Sequence, residues 1–155
     1  MRVGIGYDIH RLEKGRRLVL GGVDVPYSRG LAGHSDADVL VHAVMDALLG
    51  AAALRDIGFY FPPDDPAFKD ISSIELLKQV NAKITEAGYK IGNIDSVIIA
   101  EEPKLSPHME TMRHNISAAL GLDVSQVMVK ATTNEGLDAA GSKKGIAAHA
   151  VALLI

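Results

Sequence analysis

The sequence predicts an α+β fold: a two-layer sandwich in which a single small mixed β-sheet carries helices packed on one face. Three observations point there. Strand-like and helix-like segments interleave without a long regular strand–helix repeat. No internal repeat, linker or low-complexity stretch divides the chain. Its 155 residues suit one domain, residues 1–155, able to bury roughly 70% of the unfolded surface.

Residues 2–11 read as the first strand, with side chains alternating between faces. Val3, Ile5, Tyr7 and Ile9 form an apolar face expected to meet the core. Asp8 and His10 share the other face, which Gly4 and Gly6 leave open. Residues 17–21 are a second short strand, and Gly21-Gly22, Pro26 and Gly30 punctuate a turn-rich stretch. Ser35 with Asp38 resembles a capping box. Val39, Ala43, Val44, Ala47 and Leu48 then recur at helical spacing, so a helix should run to about Leu54. Along it Asp38, His42 and Asp46 form one polar stripe. Residues 56–66, rich in proline, glycine and acids, read as loop.

Ser72 with Glu75 is a second capping box, opening a helix that should stop at Gly88. Residues 91–101 hold a strand around Val97-Ile98-Ile99. Pro103 and Pro107 bracket a stiff connector carrying Lys104. Ser106-Pro107 reads as the N-cap and first position of a helix ending near Gly121. Residues 127–133 are a strand, 134–145 a glycine-bearing loop and 146–155 the last strand.

Composition narrows the function classes. The chain has no cysteine, which excludes disulfides and thiolate metal sites, so any metal ligand is imidazole or oxygen. A net charge of −3 with few aromatics and no basic stripe argues against nucleic acid as a partner. No apolar run approaches the roughly 20 residues of a membrane span, and residues 1–4 lack a signal-peptide core, so a cytoplasmic location is expected.

Asp8, His10 and His42 carry the chemistry. Two imidazoles and a carboxylate make a three-ligand zinc set, which leaves a fourth position for water or substrate. The same spacing also suits unrelated polar residues. Asp46, one turn beyond His42, is placed to orient a ligand imidazole. His34-Ser35 sits at a helix start, where backbone N–H groups favour an anion. Lys130-Ala131-Thr132-Thr133-Asn134-Glu135 ends a strand with hydroxyls suited to phosphate and a carboxylate suited to Mg²⁺. Gly4-x-Gly6 does not continue as a dinucleotide fingerprint, and no Walker A sequence is present. His108 and His114 read as surface groups.

Several of these segments together carry a resemblance. They are Gly6-Tyr7-Asp8-Ile9-His10, Gly33-His34-Ser35-Asp36-Ala37-Asp38 and His42-Ala43 with Asp46-Ala47-Leu48-Leu49-Gly50. Asp56-Ile57-Gly58, Phe61-Pro62, Pro103-Lys104, Lys130-Ala131-Thr132-Thr133 and Gly145-Ile146-Ala147 extend it over nearly the whole length. On these residues the chain resembles the 2-C-methyl-D-erythritol 2,4-cyclodiphosphate synthase family of the non-mevalonate isoprenoid pathway. The resemblance implies an intramolecular phosphoryl transfer: the 2-phosphate of 4-diphosphocytidyl-2-C-methyl-D-erythritol 2-phosphate attacks the β-phosphorus and CMP leaves.

The resemblance also implies roles. Asp8, His10 and His42 would hold Zn²⁺, and Glu135 a second ion, Mg²⁺ or Mn²⁺, between the phosphates. His34 and Thr133 would stabilise the transition state. Asp8, Ile9 and His10 would touch the substrate, and its methylerythritol phosphate end would lie among His34, Ser35, Asp56, Ile57, Gly58 and the loop Phe61, Pro62, Pro63, Asp64 and Asp65. Ala100, Glu101, Glu102, Pro103, Lys104, Leu105 and Ser106, with Ala131, Thr132 and Thr133, would bind the cytidine diphosphate part, and Asn134, Glu135, Ala139 and Ser142 would also touch the substrate. The family is homotrimeric, with each active site between subunits.

Three positions depart from the family's pattern. Ala139 and Ser142 stand where an aromatic residue and an arginine are frequent, with Lys143 or Lys144 available to restore charge. His149 replaces a frequent acid, which removes support for an isoprenoid diphosphate site on the trimer axis. Two alternatives remain: a zinc-dependent phosphohydrolase and a non-catalytic nucleotide- or isoprenoid-binding module.

Overall fold

The computed structural model describes residues 1–155. Its sheet is built on β1 (Arg2–Lys14), which pairs antiparallel with β7 (Gly145–Leu154) along nearly its whole length. With β4 (Arg29–Leu31), β5 (Ile91–Ile99) and β6 (Val127–Thr132) they form a five-stranded sheet of order β4-β1-β7-β5-β6. Only β5 and β6 run parallel, so the sheet is mixed as expected. A separate ribbon of β2 (Leu18–Leu20) and β3 (Val23–Val25) makes a second, two-stranded sheet, where a single sheet is expected from sequence.

The principal helix is α1 (Val39–Ala52), and every residue of it except Asp46 and Gly50 is buried. A helix apolar on all sides belongs inside the protein. It lies directly on β1 and β7, whose inner faces present Gly4 and Gly6 beside Ala148, Ala150 and Ala152. A Cβ on Gly4 or Gly6 would overlap the carbonyl oxygens of Ala47 and Ala43 respectively. The missing methyl groups therefore set how near the helix comes to the strand.

This reverses the expected orientation of β1. Val3, Ile5, Tyr7 and Ile9 are exposed, from 42% to 71%, while Gly4 and Gly6 are buried against the helix. Alternation identifies two faces but does not say which one a helix covers. Close helix approach needs small side chains, and only the glycine face supplies them. The outer apolar face also carries Met128, Val151 and a Tyr7–His149 ring contact at 4.7 Å.

Helix starts also shift. The N-cap of α1 is Asp38, with Oδ1 accepting from the N–H groups of Gly21 and Val41 and Oδ2 from that of Gly22. Ser35 therefore does not cap it. Burial and the neighbouring Asp36 push the Asp38 carboxyl up to about 6, against those three donors. After the one-turn helix α2 (Ile57–Tyr60) comes α3 (Ser73–Glu86), where the side chain of Ser72 makes no cap bond and Glu75 pairs with Lys78, so no capping box forms. Instead Asp36 reaches across from the α1 side, and its Oδ2 accepts from Ser73 N–H at 3.0 Å. The third long helix begins at Met109 (Met109–Leu120), later than Ser106-Pro107 suggests, and ends on Gly121 in the left-handed conformation as expected. Residues 56–66 are not all loop: Ile57–Tyr60 form one helical turn, and Asp138–Gly141 form another inside the expected 134–145 loop. No helix is long and apolar enough to cross a membrane.

Candidate metal centre

Strand alternation puts Asp8 and His10 on the helix side of β1, and the close approach of α1 brings His42 to them. Asp8 Oδ2 lies 2.8 Å from His10 Nε2 and 3.0 Å from His42 Nδ1, and the two nitrogens are 3.3 Å apart. Ligands of a tetrahedral zinc ion, each about 2.0–2.2 Å from the metal, stand roughly 3.3–3.5 Å from one another. The edges of the triangle, 2.8–3.3 Å, approach that size, the shortest falling about half an ångström below it. The chemistry of the donor set fits as well: two imidazoles, one carboxylate oxygen and no sulfur.

Each donor atom is also turned the right way. His10 Nδ1 donates to the Ala32 carbonyl at 2.5 Å, leaving the Nε2 lone pair for a metal. Asp8 Oδ1 accepts from Ile9 N–H, leaving Oδ2. His42 Nε2 faces Ser73 Oγ at 3.0 Å and Ser35 Oγ at 3.3 Å. The electrostatics follow from the same contacts. Burial works against charge on Asp8, but hydrogen bonds from His10 and His42 outweigh it and hold the carboxyl well below its usual range. Burial likewise pulls the His10 imidazolium down, and the Asp8 carboxylate more than reverses that.

Asp46 does not do what its spacing suggests. Its carboxylate accepts from Ile57 N–H at 2.9 Å and pins the turn at Ile57–Tyr60 rather than touching His42. Burial raises its pKa, with the Ile57 bond opposing.

The three ligands open onto a cavity of about 240 Å³. His34, Ser35, Gly58 and Pro63 line it beside an apolar wall of Met45, Ile57, Phe61, Phe68 and Leu76. His34 Nε2 donates to the Asp65 carbonyl at 2.8 Å, so its Nδ1 is the ring atom left for a ligand. Asp56 and Asp65 cap the two short turns of this wall. Pro62 and Asp64 are not among the lining residues, and Ile9 points to the opposite sheet face. Sequence reasoning missed Arg16. Its guanidinium donates to the carbonyls of Leu31, Gly33 and Ser35 and so holds the loop that carries His34.

The expected cytidine segment forms a separate cluster. Ala100 N–H bonds to Thr132 O, and Glu101 Oε1 accepts from the N–H groups of Asn134 and Gly136, tying residues 100–106 to 131–136. Thr133 Oγ1 donates to Glu135 Oε1 at 2.8 Å. Glu102 is engaged by Lys143 and Tyr27, so Lys143 is not a free replacement cation. Pro103, Lys104, Leu105 and Ser106 share the connector, and none of them lines the metal cavity. Ala139 borders a shallow depression with Ile9, His10, Arg11, Lys144 and Gly145, while Ser142 bonds back to its own turn. Sheet register separates the two clusters. Asp8 pairs with Ala148, Ala148 with Ile98 and Ile98 with Ala131, three strand spacings or about 14 Å.

Comparison with known proteins identifies relatives. Residues 1–155 match the YgbB family. The chain is 58% identical over 154 residues to the 2-C-methyl-D-erythritol 2,4-cyclodiphosphate synthase of Syntrophomonas wolfei, covering 99% of this chain and 98% of that one. It is 59% identical over 155 residues to the protein of that name from Moorella thermoacetica, covering 100% and 95%. Among solved structures, bifunctional IspDF of Campylobacter jejuni matches with a TM-score of 0.95 at 43% identity, over 99% of this chain and 42% of that longer one. IspF of Plasmodium falciparum in complex with CDP matches with a TM-score of 0.86 at 38% identity, over 99% and 95%.

Proposed function

The chain belongs to the YgbB family, and from that premise we infer that it converts 4-diphosphocytidyl-2-C-methyl-D-erythritol 2-phosphate to 2-C-methyl-D-erythritol 2,4-cyclodiphosphate with release of CMP, in isoprenoid precursor biosynthesis. The observation that carries the reading is the convergence of Asp8 Oδ2, His10 Nε2 and His42 Nδ1 at the mouth of a half-apolar cavity. The reaction makes one P–O bond and breaks another. An oxygen of the 2-phosphate attacks the β-phosphorus, the bond to the CMP oxygen breaks, and no water is consumed. On this chemistry the enzyme is a phosphorus–oxygen lyase. The nucleophile is already anionic, so no strong general base is needed.

Repulsion between phosphates is the main obstacle. A divalent cation held by Asp8, His10 and His42, zinc by ligand type, supplies Lewis-acid polarisation of a phosphoryl oxygen. The chain's own groups do the rest. The wall of Met45, Ile57, Phe61, Phe68 and Leu76 receives the carbon skeleton and excludes water. A tethered nucleophile held there reacts at high effective concentration. Ser35 Oγ and His34 Nδ1 offer polar contacts to the phosphate end. Thr133 would donate to the diphosphate, and Glu135 would hold a second ion, Mg²⁺ or Mn²⁺.

Two cations acting on one phosphate pair stand about 3.5–4 Å apart, far less than the separation of about 14 Å across three strands. Glu135 lies in the loop beyond that far strand, and we read it as serving the trio of a neighbouring chain. A homotrimer supplies it from a neighbour, and the exposed face of Val3, Ile5, Tyr7, Ile9 and Val151 is the surface available for that contact. Light scattering should return three chains per particle, and a monomer under assay conditions would overturn the shared site.

Phosphorus NMR of the product tests the reaction itself. Two coupled diphosphate signals from a cyclic species are expected. Oxygen label entering the product from labelled water at each turnover would replace cyclisation with hydrolysis.

A further inference from the structure

Ser73 is fully buried at the first turn of α3. Its hydroxyl has two neighbours of opposite demand. On one side it lies 2.5 Å from Asp36 Oδ1, and a carboxylate oxygen only accepts, so Ser73 donates its proton there. On the other side it lies 3.0 Å from His42 Nε2. With its own hydrogen committed to Asp36, Ser73 Oγ can only accept from that nitrogen. His42 Nε2 must then carry a hydrogen, and Nδ1, 3.0 Å from Asp8 Oδ2, is the ring atom turned to the metal position. Asp36 cannot turn away, because its other oxygen accepts from Ser73 N–H and Oδ1 also accepts from Asp38 N–H.

Resting on the metal reading above, we propose that Ser73, anchored by Asp36, is the positioning residue that fixes His42 in its Nε2–H tautomer and so sets how tightly the centre holds a divalent cation. The order of transfer of constraint is carboxylate, hydroxyl, imidazole, metal position. Ligand histidines generally need such a partner on the far nitrogen, and its loss costs about 10–100-fold in metal affinity. His10 has a rigid backbone carbonyl in that place. For His42 the partner comes from a helix more than thirty residues away in sequence, so it couples the seat of α3 to the metal site. Ser35 Oγ, at 3.3 Å and already accepting from Ala37 N–H, is the weaker of the two hydroxyl contacts.

The test uses the full chain and zinc alone, with a chromogenic chelator as competitor. Ser73→Ala should bind zinc about 10–100-fold more weakly than the parent, and His42→Ala should lose tight binding altogether. In the metal-free parent, at a pH where the His42 ring carries a single proton, nitrogen NMR should show that proton on Nε2. That second measurement needs no variant, so it stands even if Ser73→Ala fails to fold. A proton on Nδ1 overturns the proposal. So does a Ser73→Ala protein that melts lower yet holds zinc as tightly as the parent, which would make Ser73 merely structural while the metal reading survives through His42→Ala. If His42→Ala itself retains parental zinc affinity, the metal centre is misassigned and the relay falls with it.

Discussion

The two clusters of polar residues at the sheet are built in different ways. At the metal end, Asp8, His10 and His42 sit on a long strand and a fully enclosed helix, and each donor has a fixed partner behind it. At the other end, Thr133, Glu135, Glu102 and Lys143 lie exposed on loops, linked by ion pairs and short turns. Surface ion pairs add little stability, whereas a packed strand–helix contact tolerates almost no displacement. The candidate metal end is thus held by packed secondary structure, while the cluster of residues 100–106 and 131–136 rests on exposed loop contacts.

Substitutions should separate the two ends sharply. The largest effect is expected from His42→Ala. Losing the metal forfeits about 4 kcal/mol of charge stabilisation, roughly a thousandfold in kcat, and metal analysis should show the loss directly. Gly6→Ala tests the framework instead of the ligand. Its methyl has no room against Ala43 O, so denaturant unfolding should show a loss of about 3 kcal/mol, with weaker zinc binding as the helix lifts. An unchanged unfolding midpoint would break the claim that missing methyl groups set the helix position.

Glu135→Gln should act on chemistry alone, lowering kcat by roughly tenfold or more through loss of charge at the second ion. The zinc content and melting temperature should stay as they were; a drop in zinc content would merge the two clusters. Acid provides a graded test. Asp8 raises the His10 pKa above 6.5, and a metal needs the neutral ring. Apparent zinc affinity should therefore fall about tenfold per pH unit once pH drops below that raised pKa. The metal-free protein should run oppositely: the Asp8–His10 pair contributes its full stability between the unfolded values of 3.8 for the carboxyl and 6.5 for the imidazole, and loses it as pH rises through the raised His10 value. Least of all, Glu102→Gln should leave the melting temperature unchanged, because its pair with Lys143 is at the surface.

Local patterns proved legible where the chemistry is local. Period-two alternation places Asp8 and His10 together, glycine marks the end of the third long helix at Gly121, and strand-ending hydroxyls single out residues 131–135. What stayed hidden depends on contacts between distant segments. Asp46 is the obvious helical neighbour of His42, yet Ser73 occupies the imidazole's far side, thirty-one residues along. Ser35 and Ser72 carry capping sequences, but Asp38 and Asp36 satisfy those helix starts. The exposed face of β1 runs against its sequence because large apolar residues usually mark a core, and here the helix requires the opposite.

Gly4 and Gly6 act as a spacer defined by absence, and this limits how the protein can be remodelled. Enlarging the pocket from the strand–helix side would spread the ligand triangle before it admitted a bulkier substrate. The practicable route to altered selectivity runs through Phe61 and Phe68, whose side chains border the chamber without supporting α1 on its strand.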